Sequence, residues 1–217
     1  MEMALLTNDF ERQFQRMRAK RIPVTKDNIR VHVPGFGGGA ARGLQIATET
    51  VERYKVAYGD NLIAAFVFGA VGRGFPKSRL PKDIDLMLVV RDLGKAPALS
   101  KKDHALISKM VLPLSYLQDA LAKPNDEGRF HRRVLALNNI CLHGLTQMRE
   151  LRRTALAGLR TGDFDRYVEK KTRRRAMELR ERRKHVPSED TLRRIVAHDY
   201  GIDDALHRST QVKRSLK

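Results

Sequence analysis

Two short apolar runs most strongly limit the folds open to this chain of 217 residues. The first covers residues 62–68 and ends at Gly69, and the second continues from Asp83 to residue 90. Continuous apolar runs of this length are typical of strands buried in a sheet. We therefore predict a central sheet with helices packed on it.

The sequence on either side of these runs predicts helices and one weaker strand. An amphipathic helix is expected over residues 8–21, and a helix that packs on the sheet is expected over 44–58. Residues 34–39 are interpreted as a flexible linker, because glycine loses too much backbone entropy to form a regular element there. Residues 110–114 are a weaker strand candidate, and the apolar segment 134–142 completes the packed unit.

The last third of the chain predicts helices only. One is expected to reach about residue 159, a second covers 164–184, and a third covers 189–198, with Ser188 as its cap. We therefore predict three regions. They are an amino-terminal helix with a glycine-rich linker (1–40), a core that contains the sheet (41–144) and a basic helical region (145–217).

The charge of the chain predicts a polyanionic partner. Lys and Arg number 43 against 25 Asp and Glu, which gives a formal net charge of +18 and a pI near 10.5. Such a surface attracts nucleic acid or anionic lipid. Lipid would call for an apolar helix face or an anchor motif, and we find neither. Nucleic acid is the better partner, the alternative being a generally basic, solvated surface.

Asp83 and Asp85 carry the clearest chemical signal. Because strand side chains alternate, both carboxylates are expected on one face, with Ile84 directed into the core. Magnesium prefers carboxylates together with water and phosphate oxygens, and two uncompensated carboxylates beside a buried sheet would be costly. The pair therefore predicts a divalent-metal site. Two acids on a solvated strand face are the alternative interpretation.

The glycine-rich turn after the first run could hold phosphate. Backbone N–H groups between Ala70 and Gly74 could face phosphate oxygens at a helix start. The Arg73 guanidinium could add a charge-assisted contact. The candidate nucleotide-binding residues are Gly69, Ala70, Gly72, Arg73 and Gly74.

The two motifs together resemble the minimal nucleotidyltransferases, members of the superfamily that includes DNA polymerase β. The family signature is a strand that ends in Gly-Ser or Gly-Gly, followed on the next strand by Asp-hydrophobic-Asp. Here the chain reads Phe68-Gly69-Ala70-Val71-Gly72-Arg73-Gly74 and then Asp83-Ile84-Asp85-Leu86. The resemblance covers residues 44–142, within the region 41–144 that would be the nucleotidyltransferase core.

This resemblance implies an α+β fold with a nucleotidyltransferase-like mixed sheet and helices on one side. It also implies Mg²⁺ or Mn²⁺ as cofactor and a nucleoside triphosphate as the donor of a nucleoside monophosphate. Asp83 and Asp85 would be the catalytic metal ligands. The turn from Gly69 to Gly74 would hold the triphosphate.

Two departures from the family pattern weigh against turnover. Ala70 stands where the family usually has Ser, so a hydroxyl contact to the triphosphate is missing. Many relatives carry a third carboxylate on a later strand, and residues 109–114 contain none. Asp119, Asp126 or Glu127 could substitute only if the third strand lies elsewhere. A catalytically silent RNA-binding protein on the same fold is therefore the alternative.

The basic helix predicted over residues 164–184 is the candidate RNA-binding element. Such a helix can follow a phosphate backbone with sequence-independent, salt-sensitive affinity. Phe164, Tyr167, Val168, Met177 and Leu179 are expected to be its packing residues, and a solvated helix paired to its own acids is the alternative. The candidate RNA-binding residues are Lys170, Lys171, Arg173, Arg174, Arg175, Arg182 and Arg183.

These observations favour an enzyme that transfers a nucleotide to an RNA acceptor, with transfer RNA as the expected substrate. Some compact bacterial relatives act in this way as toxins, and others modify a partner toxin, so an antitoxin protein is a further candidate partner. Cys141 is the only cysteine, which excludes an intrachain disulfide. The chain shows no signal sequence and no membrane-spanning run, so a cytoplasmic protein is expected.

Overall fold

The computed structural model describes residues 6–95, 105–137 and 139–216, which form two compact units. The first unit contains the described residues up to 120 and residues 139–151. The second contains residues 121–137 and the described residues from 152 onward. The predicted boundaries differ from this division, since residue 40 falls inside a helix and residues 121–137 belong with the carboxy-terminal helices.

The described residues form an α+β fold. In chain order, its elements are α1 (Asp9–Ala19), α2 (Lys26–His32), α3 (Gly38–Tyr58), β1 (Leu62–Val67), α4 (Gly69–Gly72), β2 (Ile84–Val90), β3 (Ile107–Pro113), α5 (Leu114–Ala122), α6 (Asp126–Ala136), β4 (Ile140–His143), α7 (Leu145–Gly158), α8 (Asp165–Glu181), α9 (Glu189–Asp199) and α10 (Ile202–Ser215). Short 3₁₀ turns cover Gly59–Asn61, Leu93–Lys95 and Thr161–Asp163.

The sheet of the first unit is mixed, as expected. Its strand order is β3-β2-β1-β4, in which β1 runs antiparallel to both β2 and β4, and β2 runs parallel to β3. The two apolar runs are confirmed as its central strands. Both are buried at nearly every position along their length.

The sheet is buried on both faces, whereas the sequence predicted helices on one side. Ile84, Leu86 and Leu88 belong to the core cluster that also contains residues of α1, α2 and α3. Met87 and Val89 point to the opposite face and are also fully buried. The sheet is therefore covered on both faces, which explains why β2 is apolar at every position after Asp85.

The first two predicted helices are confirmed, but the segment between them is not a flexible linker at its carboxyl end. Gly38 and Gly39 form the first turn of α3. A Cβ on Gly39 would lie 1.7 Å from the Arg79 carbonyl oxygen, and one on Gly37 would lie 2.3 Å from the Lys77 Cα. These glycines are present because backbone packs against backbone, so their lack of a side chain serves close approach and not mobility.

The second unit is helical and contains a buried ion pair. Arg132 Nε and Nη2 donate to the Asp163 carboxylate at 2.9 and 3.2 Å, and both side chains are almost completely buried. The backbone N–H of Arg160 also donates to Asp163, at 3.1 Å. Burial by itself raises the pKa of Asp163, but these hydrogen bonds and the charges of Arg132 and Arg129 outweigh it, and the pKa lies below its ordinary value.

Three features of the helical region differ from the sequence prediction. Helix α8 ends at Glu181, so Arg182 and Arg183 follow the helix. Met177 is 57% exposed and is not a packing residue. Helix α10, which was not predicted, follows α9 after Gly201. Among the described residues, no helix combines the length and the apolar character that crossing a membrane requires.

Candidate active site

The turn after β1 is packed directly against a carboxylate of β2. Phe68 N–H donates to the Asp85 carbonyl at 3.0 Å, and the chain then enters the single helical turn α4 at Gly69. Gly69 has a φ of +67°, and a Cβ on it would lie 2.0 Å from Asp85 Oδ2. Only glycine satisfies both conditions, because it adopts left-handed backbone without strain and leaves space for the carboxylate.

The two carboxylates predicted to bind metal flank one buried residue. Asp83 is exposed and lies directly before β2, Asp85 is half-buried as the second residue of β2, and Ile84 between them is completely buried. Carboxylate oxygens are the ligands that Mg²⁺ prefers, and the Asp85 carboxylate fills the space that the missing side chain of Gly69 leaves. This donor set fits a hard divalent cation that keeps further positions for water or phosphate.

The backbone donors of the turn are fewer than the sequence suggested. The N–H groups of Gly72, Arg73 and Gly74 donate to carbonyls within the segment, at 3.4, 3.1 and 2.9 Å. The N–H groups of the first three helical residues have no partner inside a helical turn, which leaves those of Gly69, Ala70 and Val71 as candidate donors for a ligand. Gly69 and Ala70 are the two of these donors that are closest in sequence to the contact with Asp85.

Arg73 is held against the start of the same turn. Its Nε donates to the Gly69 carbonyl at 3.1 Å, and its side chain is half-buried. A guanidinium carries further N–H donors in a fixed plane, so this anchoring hydrogen bond fixes the orientation of the remaining donors. The structure therefore holds the Arg73 side chain against the turn.

No acid occupies the strand position beside Asp85. In the parallel register of β2 and β3, Ser108 is the partner of Asp85 and Lys109 is the partner of Leu86. The third strand begins at Ile107, earlier than predicted, and contains no Asp or Glu. A third carboxylate on this strand is therefore absent.

The three alternative acids lie on helices. Asp119 is in α5, whereas Asp126 and Glu127 are in the first turn of α6. Asp126 pairs with Arg129 at 3.1 Å and with Arg166 at 3.0 Å. Within the described residues, no group of three or more His, Cys, Asp and Glu side chains is arranged to hold a metal ion.

The basic face of α8 lies in the second unit. Of the seven candidate RNA-binding residues, six are exposed, and Lys171 is half-buried with its Nζ 5.3 Å from the ring centroids of Tyr167 and Tyr200. Arg173 pairs with Glu169, and Arg174 Nε donates to Glu178 at 3.0 Å. Pairing therefore neutralises only part of this face.

Four of the seven cations have no acidic partner among the described residues. Lys170, Lys171, Arg182 and Arg183 form no ion pair with any acid in the described parts of the chain. Residues 165–184 contain ten Lys and Arg against four Asp and Glu, so acids remain in the minority even where pairs form. The exposed face retains a net positive charge, which attracts polyanions.

Comparison with models of known protein families gives no match, and comparison with curated proteins gives none either.

Proposed function

We propose that this protein is a nucleotidyltransferase that transfers a nucleoside monophosphate from a nucleoside triphosphate to an RNA acceptor. The observation that carries the proposal is the contact between Gly69 and Asp85. It joins the two halves of the motif, the glycine turn and the Asp-x-Asp pair, at one point of the first unit. A turn with phosphate-facing donors beside paired carboxylates is the arrangement that a metal-bound triphosphate requires.

Asp83 and Asp85 would hold Mg²⁺ or Mn²⁺. When bound, this cation would neutralise the charge of the triphosphate and polarise the phosphorus that is attacked. The N–H groups of Gly69 and Ala70 would position the triphosphate oxygens. In the reaction, an acceptor hydroxyl oxygen forms a bond to the α-phosphorus. The bond from that phosphorus to the bridging oxygen breaks, pyrophosphate leaves, and the hydroxyl proton passes to water.

RNA is the acceptor that the charge distribution favours. A small-molecule or protein acceptor gives no reason for the exposed cations of α8, whereas a phosphate backbone does. Transfer RNA is the acceptor class we propose, because some compact bacterial nucleotidyltransferases of the family that the motifs resemble act on it as toxins. A protein antitoxin would then be the second partner.

A catalytically silent RNA-binding protein is the second candidate, and one observation favours it. The position beside Asp85 on β3 is Ser108, so the acid that would help activate an acceptor hydroxyl is absent from the strand where it would act. Ala70 removes a hydroxyl from the turn as well. Nucleotide and RNA could then bind without transfer.

Transfer of label separates the two candidates. The protein is incubated with Mg²⁺, each nucleoside triphosphate labelled at the α-phosphate, and total RNA. If the protein is the transferase, label enters RNA with the wild type and with the control Asp60→Asn, but not with Asp85→Asn. Asp60 is an exposed acid that precedes β1. Label in a co-expressed protein instead of RNA would identify a protein acceptor. Absence of label from both RNA and protein would exclude the transferase.

A further inference from the structure

A basic cavity of about 550 Å³ lies in the first unit. It is lined by α2, by the first turns of α3 and by residues of the loop between α4 and β2. The side chains that give it its charge are Lys26, Arg30, Arg42 and Lys77.

The positive charge of this basic cavity is not neutralised. No Asp or Glu lines it, and in the described parts of the chain none of the four cations forms an ion pair. Lys77 Nζ donates to the Gly35 carbonyl, and Arg42 Nη1 donates to Gln45 Oε1 at 2.8 Å. Both acceptors are neutral, so Lys77 and Arg42 keep their positive charge and have further N–H donors for a ligand. Four cations brought together from three segments favour an anion among them.

The cations, and not the helix end, are the binding groups. Ala40 N–H donates to the Pro76 carbonyl at 3.0 Å, and Gly39 lies against the Arg79 carbonyl, so the loop closes most of the amino-terminal end of α3. Gly38 differs from Gly39. A Cβ on Gly38 would meet only the Lys77 carbonyl oxygen, at an ordinary 3.6 Å, so the cavity has room at this position.

We infer that the basic cavity binds backbone phosphates of the RNA acceptor, an inference that rests on the proposed RNA substrate. Leu80, which lines the cavity, is three residues before Asp83, and three residues span at most about 11 Å. Because the cavity reaches this close to Asp83 at Leu80, an RNA whose reacting end lies at Asp83 would place phosphates farther along its backbone in the cavity. The basic cavity would hold the acceptor near its end, while α8 contributes general affinity.

An isosteric pair of variants tests this inference. Gly38→Asp places a carboxylate at the open position of the cavity, and Gly38→Asn places a neutral group of the same shape there. A negative charge in the first turn of a helix is favourable, and the open position accepts either side chain, so both variants should fold. Affinity for a labelled single-stranded oligoribonucleotide and for total transfer RNA is measured by anisotropy over a series of KCl concentrations. We expect severalfold weaker binding for Gly38→Asp and wild-type binding for Gly38→Asn.

Charge removal provides the second measurement. The double variant Arg30→Gln/Lys77→Gln should reduce the slope of log affinity against log salt by about 1.4, at about 0.7 for each lost phosphate contact on a single strand. The matched control is Lys55→Gln/Arg91→Gln. Arg91 directly follows β2, at the opposite end of that strand from Asp83. Equal slopes for the two double variants would overturn the inference.

The outcomes also separate this inference from the proposed enzyme. Asp85→Asn should lose transfer and keep the wild-type salt slope. A reduced slope in the cavity variants supports the basic cavity as an RNA site even where no label is transferred. Transfer to RNA with an unchanged slope in those variants overturns the inference alone. The inference is also overturned if the cavity variants weaken binding of Mg²⁺-ATP and leave RNA affinity unchanged.

Discussion

The α-carbon of Gly69 lies directly against the carboxylate of Asp85, where a single added methyl group would stand 2.0 Å from Oδ2. The two residues meet because β1 and β2 are antiparallel neighbours and Phe68 N–H donates to the Asp85 carbonyl. The backbone of the turn therefore sets where this carboxylate can be. Any change in the turn is expected to act on the candidate metal ligand.

Gly69→Ala should abolish nucleotide binding at the candidate site and reduce the stability of the fold only modestly. The new methyl group must displace Asp85, and a misplacement of about 1 Å can cost about 100-fold in activity. Left-handed backbone at φ +67° adds about 1–2 kcal/mol of strain. We expect loss of Mn²⁺-dependent binding of a nucleoside triphosphate, measured by calorimetry.

Gly59→Ala is the control for that substitution. Its φ of +52° with ψ of −135° is also a conformation that strains any residue other than glycine, but a Cβ there has nothing within 4 Å. This variant should lose about 1–3 kcal/mol of stability and keep nucleotide affinity. Equal loss of nucleotide binding in both variants would show that backbone strain, and not contact with Asp85, is responsible.

Ser108→Asp should strengthen metal binding. Partners in a parallel register point to the same face, so the new carboxylate would stand beside Asp85 on the neighbouring strand. An additional charged ligand should raise Mn²⁺ affinity roughly tenfold, which a metal titration measures. The neutral variant Ser108→Asn should leave affinity unchanged. A weaker affinity in Ser108→Asp would mean that the metal does not bind at this edge of β2.

Gly39→Ala and Gly38→Ala should change stability in opposite directions. A methyl group on Gly39 would lie 1.7 Å from the Arg79 carbonyl oxygen, and relieving that overlap should cost about 3 kcal/mol. Gly38→Ala meets only an ordinary contact and should stabilise α3 by about 0.4–1 kcal/mol. Urea unfolding of the two variants measures the difference. Equal effects would contradict the close packing of α3 on residues 76–79.

Asp163 should make the stability of the second unit sensitive to acid. Because its pKa in the folded protein lies below the ordinary value, its contribution is complete above about pH 4 and is lost as the pH falls toward the folded pKa. At pH 7, Asp163→Asn should cost on the order of 3 kcal/mol, since Arg132 would remain buried with its charge unpaired.

The measurement is urea unfolding of wild type and Asp163→Asn at pH 7 and at pH 3. The difference between them should shrink at the lower pH. Asp126→Asn removes an acid from two exposed ion pairs and should cost less than about 1 kcal/mol. A constant difference for Asp163→Asn across this pH range would contradict a lowered pKa.

Local sequence signals predicted most elements of the fold. The apolar runs identified β1 and β2, Ser188 capped α9, and Gly59 ended α3. The glycines at 37–39 were misinterpreted because backbone mobility and close backbone packing both call for glycine. Only the position of residues 76–79 distinguishes the two reasons. Helix α10 was missed although Gly201 marks its start.

The sequence predicted which residues form the candidate site, but it did not predict how they contact one another. The sequence identified Asp83, Asp85 and Gly69, but spacing along the chain does not show that a glycine α-carbon touches a carboxylate. The four cations of the basic cavity were not predicted, because they come from α2, α3 and the loop before β2, and no local motif joins them. Such clusters depend on tertiary packing alone.

The buried ion pair between Arg132 and Asp163 limits where this chain can be truncated. Residues 121–137 are interposed between the strands β3 and β4, yet they belong to the second unit together with residues 152–216. A protein ended after residue 144, where the sequence suggests a natural limit, would therefore retain α6 and lose Asp163. During synthesis, Arg132 likewise leaves the ribosome before Asp163 does. The helical region is thus an obligatory part of the polypeptide and cannot be treated as a detachable tail.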